Sequence, residues 1–331
     1  MSRYPDEDKY DIYIIIKRRS ISSRLKQDLD LDFLPYTFTF IDIEVDMAKK
    51  LKADDKAQID KLAEIEFSGF NFFQEQDPVT IVLINKYAER GTKINLFQDG
   101  LKAYIFNTMK FSLGLVTDNI KQNKWIKMNG YPVKDKFSFL RCRKYSFLKY
   151  IDEVFVTFPE AYDNWNKKPI GKLPIIFRDE LWATLKRVFK WEDSLLPVKD
   201  KVIFFMNQPL GDNGAFDISI LQKLQAKYPT NELYIKLHPL TPQATVEEYK
   251  KLNNITIITS KIPAEIFISE ITNSIVLSVY SGSMFINNES CNFYWLHNIK
   301  EDNNVSKLKR YRIINPTKHI VSANGVDEIV F

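Results

Sequence analysis

The sequence predicts an α/β protein made of two units, each built on a largely parallel sheet. Three observations predict it. Short runs rich in Ile, Val, Phe and Tyr alternate with helix-patterned segments through both halves of the chain. The stretch 161–200 carries Trp, Pro and mixed charge with no sheet pattern, so it reads as a crossover between units 1–160 and 201–331. One strand-like run in each half stops on a turn-forming pair that exposes a reactive side chain: Asp99-Gly100 in the first, His238-Pro239 in the second.

In the first half, residues 11–16 read as the first strand and 36–45 as the second, with a short polar helix between them over 20–31. Helical periodicity runs through 47–65 on Leu51, Ile59, Leu62 and Ile65. The run 78–85, PVTIVLIN, is continuously apolar and predicts a strand covered on both faces. Residues 92–97 follow as a strand that stops at Gln98-Asp99-Gly100, and a helix begins near Leu101. After a stretch dense in Lys, Arg and aromatics, 121–149, the next strand is 151–158.

The second half restarts with a buried strand at 201–206, which ends in Asn207-Gln208-Pro209-Leu210-Gly211. A helix over 218–227 leads to Tyr234-Ile235-Lys236-Leu237-His238-Pro239. Tyr, Ile and Leu favour a half-buried strand; Pro239 cannot join a sheet ladder and keeps His238 extended. The imidazole is thus presented at the carboxyl end of a strand, where open α/β sheets bind ligands. A helix at 246–252, a strand at 255–259 and a helix opened by Pro263-Ala264-Glu265 come next. The strand 274–279 ends in Tyr280-Ser281-Gly282-Ser283, and 293–296 is the last strand.

Composition bounds the function. The 331 residues suffice for two ordinary domains, and 45% hydrophobic with 27% charged residues is ordinary globular usage. The net charge of +5 permits nucleotides, anionic sugars or anionic lipid surfaces as partners. With only ten glycines there is no Gly-x-Gly-x-x-Gly and no Walker-type loop, which argues against dehydrogenases and ATPases. Cys142 and Cys291, the only cysteines, point to a reducing compartment, and no Cys/His cluster has zinc-ligand spacing. The charged start of the chain is no secretory signal, and the longest apolar runs are too short to span a bilayer. A cytoplasmic protein is expected, or one peripheral to the inner face of the plasma membrane. The basic stretch 121–149 reads as a solvated helix face, an anionic acceptor track or a lipid-surface patch. No nucleic-acid-binding module is present.

Phe97-Gln98-Asp99-Gly100 resembles the acidic Asp/Glu-Asp-Gly motif of bacterial sialyltransferases and polysialyltransferases of the two-Rossmann, GT-B type. Lys236-Leu237-His238-Pro239 resembles their His-Pro motif, and Ser281-Gly282-Ser283 their Ser/Thr-rich motif. Glu265 stands between these, where the family carries an acid that holds the donor ribose. The motifs occur in the family's order and span more than half of the chain. The resemblance implies two Rossmann-like domains facing across a cleft: an acceptor side at 1–160 and a nucleotide-sugar side at 201–331. It implies CMP-sialic acid as donor, a glycan as acceptor, inversion, and neither a cofactor nor an obligatory metal. Three features depart from the pattern. Gln98 leaves one carboxylate in the acidic motif, Gly282 splits the serine motif, and the chain enters directly at its first strand. The last predicts a truncated or engineered N-terminus, or a divergent relative.

The chemistry assigns roles to these residues. Asp99 is the expected base for the acceptor hydroxyl, with Gly100 leaving room for substrate on the acceptor side. His238 is the expected cation or proton donor at the departing phosphate, since a nearby phosphate favours imidazolium. Ser281 and Ser283 offer hydroxyl and N–H groups at a predicted helix start, where simple capping is the plainer reading. Glu265 can accept from ribose hydroxyls, and Asn207, Gln208 and Gly211, with Pro239, are expected to line the nucleotide pocket. His297 and His319 read as structural, and Asp28-Leu29-Asp30 as a charged loop. A related transferase using CMP-Kdo or CDP-glycerol, and a non-catalytic nucleotide-sugar or glycan binder, are the alternatives.

Overall fold

The structure, a computed structural model, describes residues 11–17, 29–73, 77–98, 100–105, 113–133, 150–162, 164, 167–174, 179–209, 214–300 and 316–331. Among them, every paired strand runs parallel to its neighbour. β1 (Asp11–Lys17) and β2 (Thr37–Ile43) form a two-stranded sheet, and α1 (Ala53–Glu64) follows. β3 (Gly69–Phe73), α2 (Pro78–Glu89), β4 (Lys93–Phe97), α3 (Lys102–Ile105), α4 (Leu113–Met128), β5 (Glu153–Val156) and β6 (Ile170–Lys172) come next. Their strands make a four-stranded sheet in chain order. The predicted helix at 20–31 falls mostly outside the described residues, as do residues 134–149 of the basic stretch.

After α5 (Asp179–Val188) the second sheet begins with β7 (Ile203–Met206), α6 (Ala215–Lys227) and β8 (Leu233–Lys236). It continues through α7 (Gln243–Tyr249), β9 (Ile255–Ile258), α8 (Ala264–Glu270), β10 (Ile275–Ser278), β11 (Asn292–Trp295), α9 (His297–Lys300) and β12 (Ile320–Ser322). Its six strands lie in the order β12-β11-β10-β7-β8-β9, so the chain reverses direction across the sheet on leaving β9 for β10. That reversal puts the ends of β10, β7 and β8 side by side.

The strands β7, β8 and β10 are buried throughout and apolar up to the terminal Lys236 of β8 and Ser278 of β10, because both faces are covered. Phe204, Tyr234 and Val276 point into one core, shared with Ile94, Leu96, Val154 and Phe158 of the first half. Ile203, Phe205, Ile235 and Leu277 point into a second core under α6, with Leu221 and Leu224. Glu270 of α8 ties in the segment that precedes β7, through Lys186 at 2.8 Å and Lys199 at 3.1 Å.

One predicted strand is a helix. Residues 78–85 belong to α2, because Asp77 caps it by accepting the Thr80 N–H at 2.9 Å and Pro78 occupies its first turn. Val79, Val82, Leu83, Ile84 and Tyr87 are all buried, so the helix is apolar nearly all round and shows no 3.6-residue stripe. A covered strand and a buried helix look alike in such a run. The stretch 161–200, read as a crossover without sheet pattern, contains β6 and α5. Three residues of strand are too few to show a period. Among the described residues, no helix is long and apolar enough to cross a membrane.

Candidate functional site

Four sequence-predicted segments come together along the carboxyl edge of the second sheet. Ser281-Gly282-Ser283 follows β10, Asn207-Gln208 follows β7, His238-Pro239 follows β8, and Glu265 lies in the first turn of α8 after β9. Since β10, β7, β8 and β9 are adjacent, these segments line up in that order. Gly211 lies outside the described residues.

Each segment is held by its neighbours. Gln208 clamps the loop after β10: its Nε2 donates to the Tyr280 carbonyl at 2.9 Å and its Oε1 accepts the Tyr280 N–H at 2.8 Å. Its side-chain amide thus sets where Ser281 begins. Ser281 Oγ accepts the Ser283 N–H at 3.2 Å and caps a single 3-10 turn, Gly282–Phe285, in place of the predicted helix start. Both serines remain half-buried at the edge of the sheet. The Leu237 N–H donates to the Ile258 carbonyl at 3.0 Å, so the ladder continues one residue past β8 and releases the chain at His238. His238 Nδ1 accepts the Leu240 N–H at 3.1 Å, which places the proton of the neutral ring on Nε2.

The first half meets this edge at the serine loop. A Cβ built on Gly282 would lie 3.1 Å from Leu101 N and 3.2 Å from Gly100 Cα. The serine loop therefore touches the backbone of the loop that follows β4. Asp99 itself lies outside the described residues; its flanking residues Gln98 and Gly100 are described. Gly100 has φ +47°, a conformation that favours glycine.

Gln98 stands where the resembled motif has an acid, and its amide is a tie. Its Nε2 donates to Thr157 Oγ1 at 2.6 Å, and its Oε1 accepts from Thr157 N and Tyr104 OH, both at 2.7 Å. Tyr104 OH in turn accepts the Phe158 N–H at 2.9 Å. Burial pushes the Tyr104 hydroxyl well above its usual range, so it stays neutral. A carboxylate at this position could accept these bonds but could not donate to Thr157. Below the contact, Phe285 of the serine turn packs edge-on against Tyr104 and Phe158, with ring centroids 5.9 and 5.0 Å apart.

Gly282→Ala is expected to force the two loops apart by a few tenths of an ångström, since backbone atoms on the far side cannot swing away. Turnover should fall roughly tenfold, the scale on which small misplacements act, with little change in melting temperature. Steady-state rates and a melting curve check it; wild-type turnover would show that the close approach is dispensable.

Sequence reasoning missed Lys236. It is a buried cation at the end of β8, donating to the Ser260 carbonyl, with the Phe267 ring 5.7 Å from its nitrogen. Burial pulls its ammonium down to about 8, and the Glu265 carboxylate acts the other way. A positive charge thus sits beneath the residue expected to hold the ribose. The signal in the sequence was a lysine in an otherwise apolar strand. His319 Nε2 donates to the Met284 carbonyl at 2.9 Å, and His297 Nε2 lies 3.1 Å from Ser322 Oγ. Asp30 of the early acidic loop pairs with Arg187 at 3.5 Å.

Comparison with known proteins gives one family. The model of a family described as alpha-2,8-polysialyltransferase (POLYST) matches residues 8–292. No curated protein sequence matches. Among solved structures, the GT-B domain of a sialyltransferase from Photobacterium damselae, its residues 113–497, is similar at 11% identity with a TM-score of 0.47. That similarity covers 96% of this chain and 100% of the other. A glycotransferase of kitacinnamycin is similar at 10% identity and a TM-score of 0.46, over 97% of this chain and 87% of the other. The UDP-GlcNAc 2-epimerase of Methanocaldococcus jannaschii is similar at 10% identity and a TM-score of 0.43, over 93% and 94%.

Proposed function

The chain belongs to the alpha-2,8-polysialyltransferase family of glycosyltransferases, and we propose that it transfers sialic acid from CMP-sialic acid to a glycan hydroxyl with inversion and without a metal. In this reading 201–331 is the GT-B donor unit, 1–160 the acceptor unit and 161–200 the crossover. The observation that carries it is the meeting of the two motif loops: Gly282, between the serines, lies against Gly100, next to Asp99. In this reading the base comes from one half and the leaving-group site from the other.

The reaction proceeds as one displacement. Asp99 takes the proton of the acceptor hydroxyl while the acceptor oxygen bonds to the anomeric carbon. The bond from that carbon to the phosphate oxygen breaks, and its electron pair stays with CMP. His238, with Nε2 carrying the proton, meets the charge that grows on the phosphate. Ser281 and Ser283 add hydroxyl groups around the phosphate, and Glu265 accepts from the ribose. Gln208 acts by holding the Tyr280 backbone, which sets the serine loop.

The exposed lysines of α4, Lys121, Lys124 and Lys127, share one side of the helix while Trp125 and Ile126 are buried behind them. This supports a peripheral contact with an anionic membrane surface on the cytoplasmic side, where surface polysaccharide or lipooligosaccharide is assembled. The reading is tested by product analysis after incubation with CMP-sialic acid and glycan acceptors.

A further inference from the structure

Behind the His-Pro loop lies a buried polar cluster drawn from four separate elements. Asn207 follows β7, Asp217 lies in the first turn of α6, Tyr249 ends α7, and Thr241 follows the His-Pro pair. Asn207, Asp217 and Tyr249 are nearly inaccessible to solvent, at 4%, 2% and 0% exposure. Asn207 Nδ2 donates to Asp217 Oδ2 at 3.0 Å and to Tyr249 OH at 2.7 Å, and Tyr249 OH donates to the same carboxylate oxygen.

The direction of these bonds is forced. A carboxylate only accepts, so the Asn207 amide must turn its nitrogen to Asp217 and its oxygen the other way. That oxygen meets Thr241 Oγ1, which must then be the donor. The Thr241 N–H donates to the His238 carbonyl at 2.9 Å, with Thr241 Oγ1 2.7 Å from the same oxygen. From the other side, the Asn207 N–H donates to the Lys236 carbonyl at 3.0 Å. Asn207 thus grips the chain on both sides of Leu237-His238, directly at Lys236 and through Thr241.

We propose that Asn207, Asp217, Tyr249 and Thr241 form a brace that positions the His238 imidazole, with Thr241 and Asn207 as positioning residues for the leaving-group step. The inference rests on His238 acting at the donor phosphate. Asp217 gives the brace its polarity and the fold its stability together, so Thr241, half-buried at the outer end, is the residue to change. The three inner groups, Asn207, Asp217 and Tyr249, are buried, so breaking the bonds among them would leave a desolvated group without a partner, and this favours one geometry.

The test is a cycle of variants assayed for donor cleavage. Thr241→Val removes the hydroxyl at constant shape and is expected to lower turnover roughly tenfold or more, with the melting temperature nearly unchanged. Thr241→Ser, which keeps the hydroxyl, should recover most of the loss. In a His238→Ala background Thr241→Val should cause no further loss, because the group it positions is absent. Wild-type turnover in Thr241→Val beside an impaired His238→Ala would overturn the brace and leave the role of His238 standing. Equal losses in both backgrounds would overturn it too, as a purely structural effect. Wild-type turnover in His238→Ala would overturn the brace together with the reading it rests on.

Discussion

Asp99→Asn is expected to lower sugar transfer by roughly 10²–10⁴, the usual worth of general-base catalysis. The substitution keeps the shape of the side chain and removes its basicity. Gln98 cannot take over, because its amide is committed to Thr157 and Tyr104. In the proposed reading Asp99 belongs to the acceptor side, so CMP should stabilise the variant against heat as it does the wild type. The pH–rate profile should lose its acidic limb. A folded Asp99→Asn variant that transfers sugar at the wild-type rate would place the base elsewhere and reduce Gln98-Asp99-Gly100 to a turn.

His238→Ala is the second large effect. Charge grows on the phosphate as the glycosidic bond breaks, so a donor aimed there acts most strongly in the transition state. Turnover should drop roughly 10²–10³, the range for losing one such donor, and CMP affinity should weaken as well. The two variants therefore separate: Asp99→Asn loses rate with donor affinity kept, and His238→Ala loses both. Donor hydrolysis without acceptor reads the second alone. Unchanged hydrolysis in folded His238→Ala would make the His-Pro pair a structural strand end.

The strand ends were legible because two local signals coincide there. In β8 and β10 an apolar run is cut off by Pro239 or Gly282, and the strands end three and four residues before those stops. The α/β class followed from the same alternation. Residues 78–85 were not legible as a helix, since burial on every side erased the period and left Asp77-Pro78 as the sole marker of type. β6 was invisible for want of length, with three residues, and β3 because its five residues, GFNFF, include a glycine and an asparagine, which strands disfavour. In the site, residue types were readable and partnerships were not. Gln98 looked like a missing acid; its role depends on Thr157 and Tyr104, which come from other elements. Asn207 looked like a pocket residue; its bonds go to Asp217, Tyr249 and Thr241. Such networks exist only once the sheet has brought distant segments together, so no local pattern announces them.

Transfer from defined donors reads donor choice and sugar transfer in one experiment. The purified chain is incubated with CMP-sialic acid, CMP-Kdo or CDP-glycerol, each with sialylated and unsialylated glycan acceptors, and both the free nucleotide and the extended glycan are measured. Sialic acid is expected to be added to a glycan, with one CMP released for each linkage, and CMP-sialic acid is expected to be the preferred donor. Transfer from CMP-Kdo or CDP-glycerol but not from CMP-sialic acid, or a folded protein that cleaves none of the three, would contradict the proposed function.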